Sequence, residues 1–172
     1  ESRRAARFSP SGEPVLLEEQ DRSLWDRSLI EEGLALVDRT VPSGRLGPYV
    51  LQAAIAAMHA RAPSAESTDW NEVVGLYELL EQVEPTPVVA LNRAIAVAMR
   101  DGPEAGLAIV DALIDGGDLE QYRFAHAARA DLCRRLGRLD DARAAYRRAL
   151  EITRHEPERR FLERRLAELA ER

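Results

Sequence analysis

Four prolines, Pro48, Pro87, Pro103 and Pro157, punctuate a chain whose apolar residues otherwise recur at helical spacing. Proline has no backbone N–H and a fixed φ, so it fits the first turn of a helix and breaks any later turn. Each of the four therefore marks a helix start. No segment alternates apolar and polar residues over a strand's length, and β-branched residues are sparse, which excludes a sheet-based fold. Thr86 stands before Pro87 as a cap, Asp69 and Glu72 have capping-box spacing, and Gly102 and Gly137 supply tight turns. These marks predict about eight helices, near 18–40, 48–61, 69–83, 87–100, 103–115, 120–136, 139–153 and 157–171. Residues 1–17, with Ser9, Pro10, Ser11, Gly12 and Pro14, read as a linker before a helical domain over 18–172, and residues 62–68 read as a loop.

The helices repeat. Ala130, Gly137, Ala142, Tyr146 and Ala149 place small residues where two antiparallel helices approach closely and an aromatic beside them. Ala94, Asp101, Gly106, Val110 and Leu113 follow the same spacing, offset by 36 residues, and Val73, Tyr77, Leu80 and Pro85 mark an earlier second helix. That offset is close to the roughly 34 residues of tetratricopeptide (TPR) repeats. The predicted fold is all-α: a right-handed α-solenoid of about three TPR-like helix pairs, with an N-terminal helix and a C-terminal capping helix.

Composition excludes several classes. Of 172 residues, 45% are hydrophobic and 31% charged, a globular balance. No apolar run approaches the roughly 20 residues of a membrane span. Cys133 is the single cysteine, so no disulfide framework or multi-thiolate metal site forms within the chain, and a reducing cytoplasm is the expected compartment. The net charge of -6 divides into -10 over residues 1–119 and +4 over 120–172. All 24 basic residues are arginine, and in the last third they interleave with Glu at helical spacing, as on a solvated, salt-bridged face. Direct nucleic-acid binding and membrane association are not expected.

Catalytic signatures are missing from the sequence: it has no zinc-protease motif, nucleophile elbow, phosphate-cradling loop or dinucleotide fingerprint. His59, His126 and His155 lie far apart, without metal-ligand spacing. The expectation is a non-enzyme without metal or cofactor. The densest chemistry lies in residues 19–27. On a helix, Asp21 and Trp25, Arg22 and Asp26, and Ser23 and Arg27 would each stand one turn apart. Trp with Arg and Asp suits an interface anchor; alternatively, Trp25 seals this helix onto the first repeat. Asn92 and Arg93 interrupt an apolar run. They read either as a structural network to neighbouring helix ends or as part of a peptide-binding groove, and buried polar groups demand partners in both cases.

Several strings carry a resemblance: Glu-Gln-Asp-Arg-Ser-Leu-Trp-Asp-Arg (19–27), Leu-Gln-Ala-Ala-Ile-Ala-Ala (51–57), Thr-Asp-Trp (68–70), Pro-Val-Val-Ala-Leu-Asn-Arg-Ala (87–94), Ala-Tyr-Arg-Arg-Ala-Leu-Glu (145–151) and Glu-Arg-Arg-Phe-Leu (158–162). Over about residues 16–170 the chain resembles the C-terminal TPR-type extension of bacterial extracytoplasmic-function (ECF) RNA polymerase sigma factors. The resemblance implies two promoter-reading sigma domains ahead of Glu1 in a parent chain. It also implies the absence of a typical anti-sigma partner and a tail that controls or enables transcription initiation. The implied partners are the sigma domains of the same parent, core RNA polymerase and a small YCII-related (DGPF) protein. The candidate contact surface, read from the density of charged and aromatic residues in that segment, is Asp21, Arg22, Trp25, Asp26 and Arg27, with Asn92 and Arg93 as a second candidate site. A generic TPR peptide-binding scaffold and a small-ligand sensor using the 62–68 loop with Asn92 and Arg93 are the alternatives.

Overall fold

A computed structural model describes residues 1–40, 42, 44 and 46–169. Eight α-helices run through them: α1 (Arg27–Thr40), α2 (Pro48–Arg61), α3 (Trp70–Val83), α4 (Pro87–Asp101), α5 (Pro103–Asp115), α6 (Arg123–Arg135), α7 (Leu139–Ile152) and α8 (Glu156–Glu168). Among the described residues the strand-type pairing is one isolated bridge, Phe8 to Pro14. The fold is all-α, of the α-solenoid class.

The start signals work as physics requires. Pro48, Pro87 and Pro103 are first residues of their helices, and Pro157 is the second residue of α8. The Asp69 carboxylate accepts from the Asn71 and Glu72 amides, both at 3.1 Å, and Thr86 Oγ1 accepts from the Val89 amide at 3.3 Å. Each cap satisfies a first-turn N–H that has no partner within its helix. Gly137 closes α6 at φ +74°, and its turn is held by Arg138 N–H donating to Cys133 O at 2.9 Å. The expected end of the last helix at 171 lies outside the described residues.

The helix expected over 18–40 is shorter. Residues Arg22–Leu24 form a single 3-10 turn, Trp25 is extended at φ -77°, ψ 133°, and α1 begins at Arg27. Two aspartates explain the break. Asp21 accepts from the Ser23 amide at 2.8 Å, and Asp26 accepts from the Leu29 amide at 3.0 Å. Each carboxylate competes for backbone N–H groups that a continuous helix would use, so the segment is capped twice.

The contacts divide the chain into two compact units, Glu1–Val89 and Ala90–Arg172. In the first, α1 packs on α2 and α2 on α3. Val37, Ala54 and Ala57 form one buried cluster, and Ala6, Trp25 and Ile30 form another. Arg61 pairs with Asp38 between α2 and α1. Residues 1–17 form an arm. It holds a 3-10 turn at Arg4–Ala6, then a small hairpin closed by Val15 N–H to Arg7 O (2.9 Å) and Ser9 N–H to Glu13 O (2.9 Å).

In the second unit α5 packs on α6, α6 on α7 and α7 on α8. Ala130, Ala142, Tyr146 and Ala149, the small-and-aromatic set of the repeat, are all buried in its core. Burying a side chain the size of Tyr146 contributes roughly 2–3 kcal/mol. Around that core the arginines pair as the charge pattern predicts. Arg123 grips Glu158 with two bonds (2.6 and 3.2 Å), Arg129 meets Asp111 at 2.7 Å, and Arg134 and Arg165 share Asp131 (2.7 and 3.4 Å). Arg159 Nη1 caps the end of α7 by donating to the Leu150 and Thr153 carbonyls.

Candidate functional site

The double cap at Asp21 and Asp26 turns the intervening residues in different directions. Trp25 is 3% exposed and packs with Ala6 of the arm and Ile30 of α1, while Leu17, Leu34 and Ala60 close around them. Arg22 lies over it, its guanidinium carbon 4.4 Å from the ring centroid, and that of Arg3 lies 5.6 Å away. Arg22 Nη1 also donates to the His59 carbonyl (2.9 Å) and the Ala62 carbonyl (2.7 Å) at the end of α2. A cation there meets the negative end of the helix dipole and two carbonyls left without helical donors. Asp21, Asp26 and Arg27 are exposed.

His59, in the last turn of α2, packs edge-on against Trp70, with centroids 5.4 Å apart. Trp70 Nε1 donates to the Ala65 carbonyl, tying the 62–68 loop to α3. Burial first, then the charges of Arg3 and Arg22, push the His59 pKa down to about 4, so its imidazole is neutral at pH 7.

The structure thus gathers five of the sequence-derived candidates, Asp21, Arg22, Trp25, Asp26 and Arg27, around the start of α1. Asn92 and Arg93 lie on α4 in the second unit, Asn92 exposed and Arg93 half-buried. Just before Asp26 and along α1, Leu24, Leu29 and Leu36 are 52%, 44% and 50% exposed. Leu29 and Leu36 share one face of the helix by their seven-residue spacing. Among the described residues no group of His, Cys, Asp and Glu is placed to hold a metal ion, and no helix is long and apolar enough to cross a membrane.

Sequence reasoning missed Arg3, Arg7, Gln20, Gln52, His59 and Tyr77, which line a cleft of about 540 Å3 where the arm meets α2 and α3. The available signal was Arg3 and Arg7 at a four-residue spacing. The Ser, Gly and Pro residues that follow mark the hairpin of the arm and resemble a linker in composition.

Comparison with known proteins agrees with the fold. Residues 1–41, the arm and α1, match a family described as "Family of unknown function (DUF6596)". The chain is 48% identical over 169 residues to an uncharacterized protein of Rhizobium meliloti (strain 1021). That match covers 98% of this chain and 40% of the Rhizobium protein, so the chain spans well under half the length of its curated relative. Among solved structures it is similar to the first TPR of Spaghetti (RPAP3) bound to the HSP90 peptide SRMEEVD, with a TM-score of 0.57 and 19% identity over 72% of this chain and 93% of that one. The likeness shows a TPR-like fold.

Proposed function

We propose that this chain is a protein-interaction module of TPR type that regulates an ECF sigma factor, without enzymatic activity of its own. The observation that carries the reading is the outward-facing apolar set Leu24, Leu29 and Leu36, beside the exposed Asp26 and Arg27. Apolar groups rimmed by charge are the ordinary makings of a protein contact. They stand in or next to the 19–27 string that most resembles the sigma-factor extension, and the matched Rhizobium protein has length enough for further domains. In this reading the surface meets the sigma domains of the parent chain, core polymerase or a small YCII-related partner, in the cytoplasm. Trp25, Asp21 and Arg22 hold the surface in shape from behind, and Asn92 and Arg93 belong to a separate contact on α4.

The test is run-off transcription with core polymerase and the full-length parent protein carrying Leu29→Asp and Leu36→Asp together. Both side chains are exposed, so the fold is expected to survive, as checked by circular dichroism. Transcription changed severalfold in either direction supports the reading. Wild-type output from a folded double variant overturns it.

A generic peptide-binding scaffold is the second reading, favoured by the solved TPR neighbour, which is described with a bound peptide. It predicts that the chain captures peptides while transcription by any parent protein ignores the α1 variants.

A further inference from the structure

The cleft between the arm and the α2–α3 hairpin has the composition of a ligand site. The arm brings Arg3, Arg7 and Gln20, α2 brings Gln52 and His59, and α3 brings Tyr77, with Phe8, Val15 and Ile55 supplying apolar wall. Its volume of about 540 Å3 falls within the range typical of small-molecule sites. Three features set it apart from an ordinary surface groove.

The first is unbalanced charge. Among the described residues, Arg3 and Arg7 of the cleft wall form no ion pair, although carboxylates pair with most of the arginines in α6, α7 and α8, while Arg22 behind them is balanced in part by Glu66. Their guanidinium groups are close enough to repel one another: Arg7 and Arg22 each depress the Arg3 pKa, after burial. The second is unmet hydrogen bonding. Gln20 Oε1 and His59 Nδ1, both from residues lining the cleft, are buried without a partner, as are Arg22 Nη2 and Trp25 Nε1 beside it. Buried polar atoms normally find partners in protein or water, and two of these four, Gln20 Oε1 and His59 Nδ1, belong to residues of the cleft wall. The third is construction. One wall is the arm and the other a helix hairpin, so an occupant would bridge two elements.

We propose that this cleft binds a small organic anion, a carboxylate or phosphate ester that also carries a hydroxyl, and that its occupancy clamps the arm onto α2 and α3. The anionic oxygens sit against Arg3 and Arg7, where guanidinium forks give charge-assisted bonds. The hydroxyl is assigned to the Gln20 side-chain amide, the uncharged polar group the arm brings to the cleft wall. A neutral His59 offers a hydrogen-bonding ring nitrogen without adding a cation. The inference goes beyond an interaction module: it gives the unit an effector site, and it stands or falls separately from the transcription experiment.

The test is titration of the purified chain with malate, glycerol 3-phosphate and inorganic phosphate, against sodium chloride at matched ionic strength. Both tryptophans report on the site, Trp25 under Arg3 and Arg22 and Trp70 against His59. A saturable fluorescence change is expected with malate or with glycerol 3-phosphate, and which of the two binds distinguishes carboxylate from phosphate. Inorganic phosphate, lacking the hydroxyl-bearing carbon chain, is expected to bind more weakly. A saturating ligand raises Tm by ~5 °C and slows tryptic cleavage after Arg4 and Arg7. Arg7→Gln weakens binding ~10-fold, Arg7→Lys retains most of it, and Arg154→Gln, at an exposed position of the second unit, changes nothing. Since Arg7 is an exposed arm residue, its variants are expected to fold. Responses that match sodium chloride for all three anions, or undiminished binding in Arg7→Gln, overturn the proposal.

Discussion

Arg22 joins two elements at once: its guanidinium lies 4.4 Å over the Trp25 ring while Nη1 donates to the His59 and Ala62 carbonyls at the end of α2. Hydrogen bonds from a charged donor contribute more than neutral ones, and the ring adds a cation–π term. Arg22→Ala is expected to lower stability by about 2 kcal/mol in urea denaturation. Arg22→Lys keeps the charge but not the planar fork, so an intermediate loss is expected. A loss no larger than that of an ordinary surface substitution, under about 0.5 kcal/mol, would show that the C-terminal end of α2 needs no such cap.

His59 makes stability depend on acid. Its folded pKa of about 4 lies below the ordinary 6.5, through burial and then the repulsion of Arg3 and Arg22. Between those values the unfolded chain binds a proton that the folded chain refuses. The contribution is therefore fully present above about pH 6.5 and is lost as pH falls toward 4. The ring is partly exposed, so with solvent screening the loss is about 1–2 kcal/mol between pH 7 and pH 4.5. Urea midpoints at the two pH values, compared with those of His59→Asn, check this. The variant should lose part of the pH slope, and an unchanged slope would place the effect elsewhere.

Helix starts were legible because proline at the head of a helix and Asp or Thr before it act through local backbone chemistry, which sequence displays directly. The buried set Ala130, Ala142, Tyr146 and Ala149 was legible for a related reason, since its spacing is fixed by helix geometry. Residues 18–26 were not, because helical periodicity and aspartate capping point in opposite directions there. The capping bonds of Asp21 and Asp26 prevailed. The cleft was hidden for a different reason. Arg3 and Arg7 lie about fifty and seventy residues from His59 and Tyr77. Only the folded arm brings them together, and no local spacing encodes that.

Cys133 should be inert while the protein is folded. It is fully buried in α6, and burial pushes its thiol above the ordinary range, so thiolate is both scarce and inaccessible. With an aromatic disulfide reagent at pH 8, native protein is expected to react only at the rate of unfolding, and protein in concentrated urea to yield one thiol per chain at once. Rapid reaction of native protein would mean that α6 opens locally.

Gly106 of α5 lies directly against Ala94 and Ala98 of α4. A Cβ built there would stand 2.4 Å from the Ala98 Cβ and 2.6 Å from the Ala94 carbonyl oxygen, so two helix backbones leave no room for a methyl group. Gly106→Ala must push α5 off α4, and the overpacking outweighs the better helix propensity of alanine. A net loss of about 2 kcal/mol is expected. Ala98→Gly removes one of the two conflicts but weakens α4 by about 1 kcal/mol on its own. The double variant should therefore be less destabilised than the two single effects added together, by about 1 kcal/mol of favourable coupling. The residual loss traces to the Ala94 carbonyl and to the Ala98 Cα, which would lie 3.1 Å from the added methyl group. Strict additivity in thermal or urea unfolding would show that the helices separate freely at this crossing.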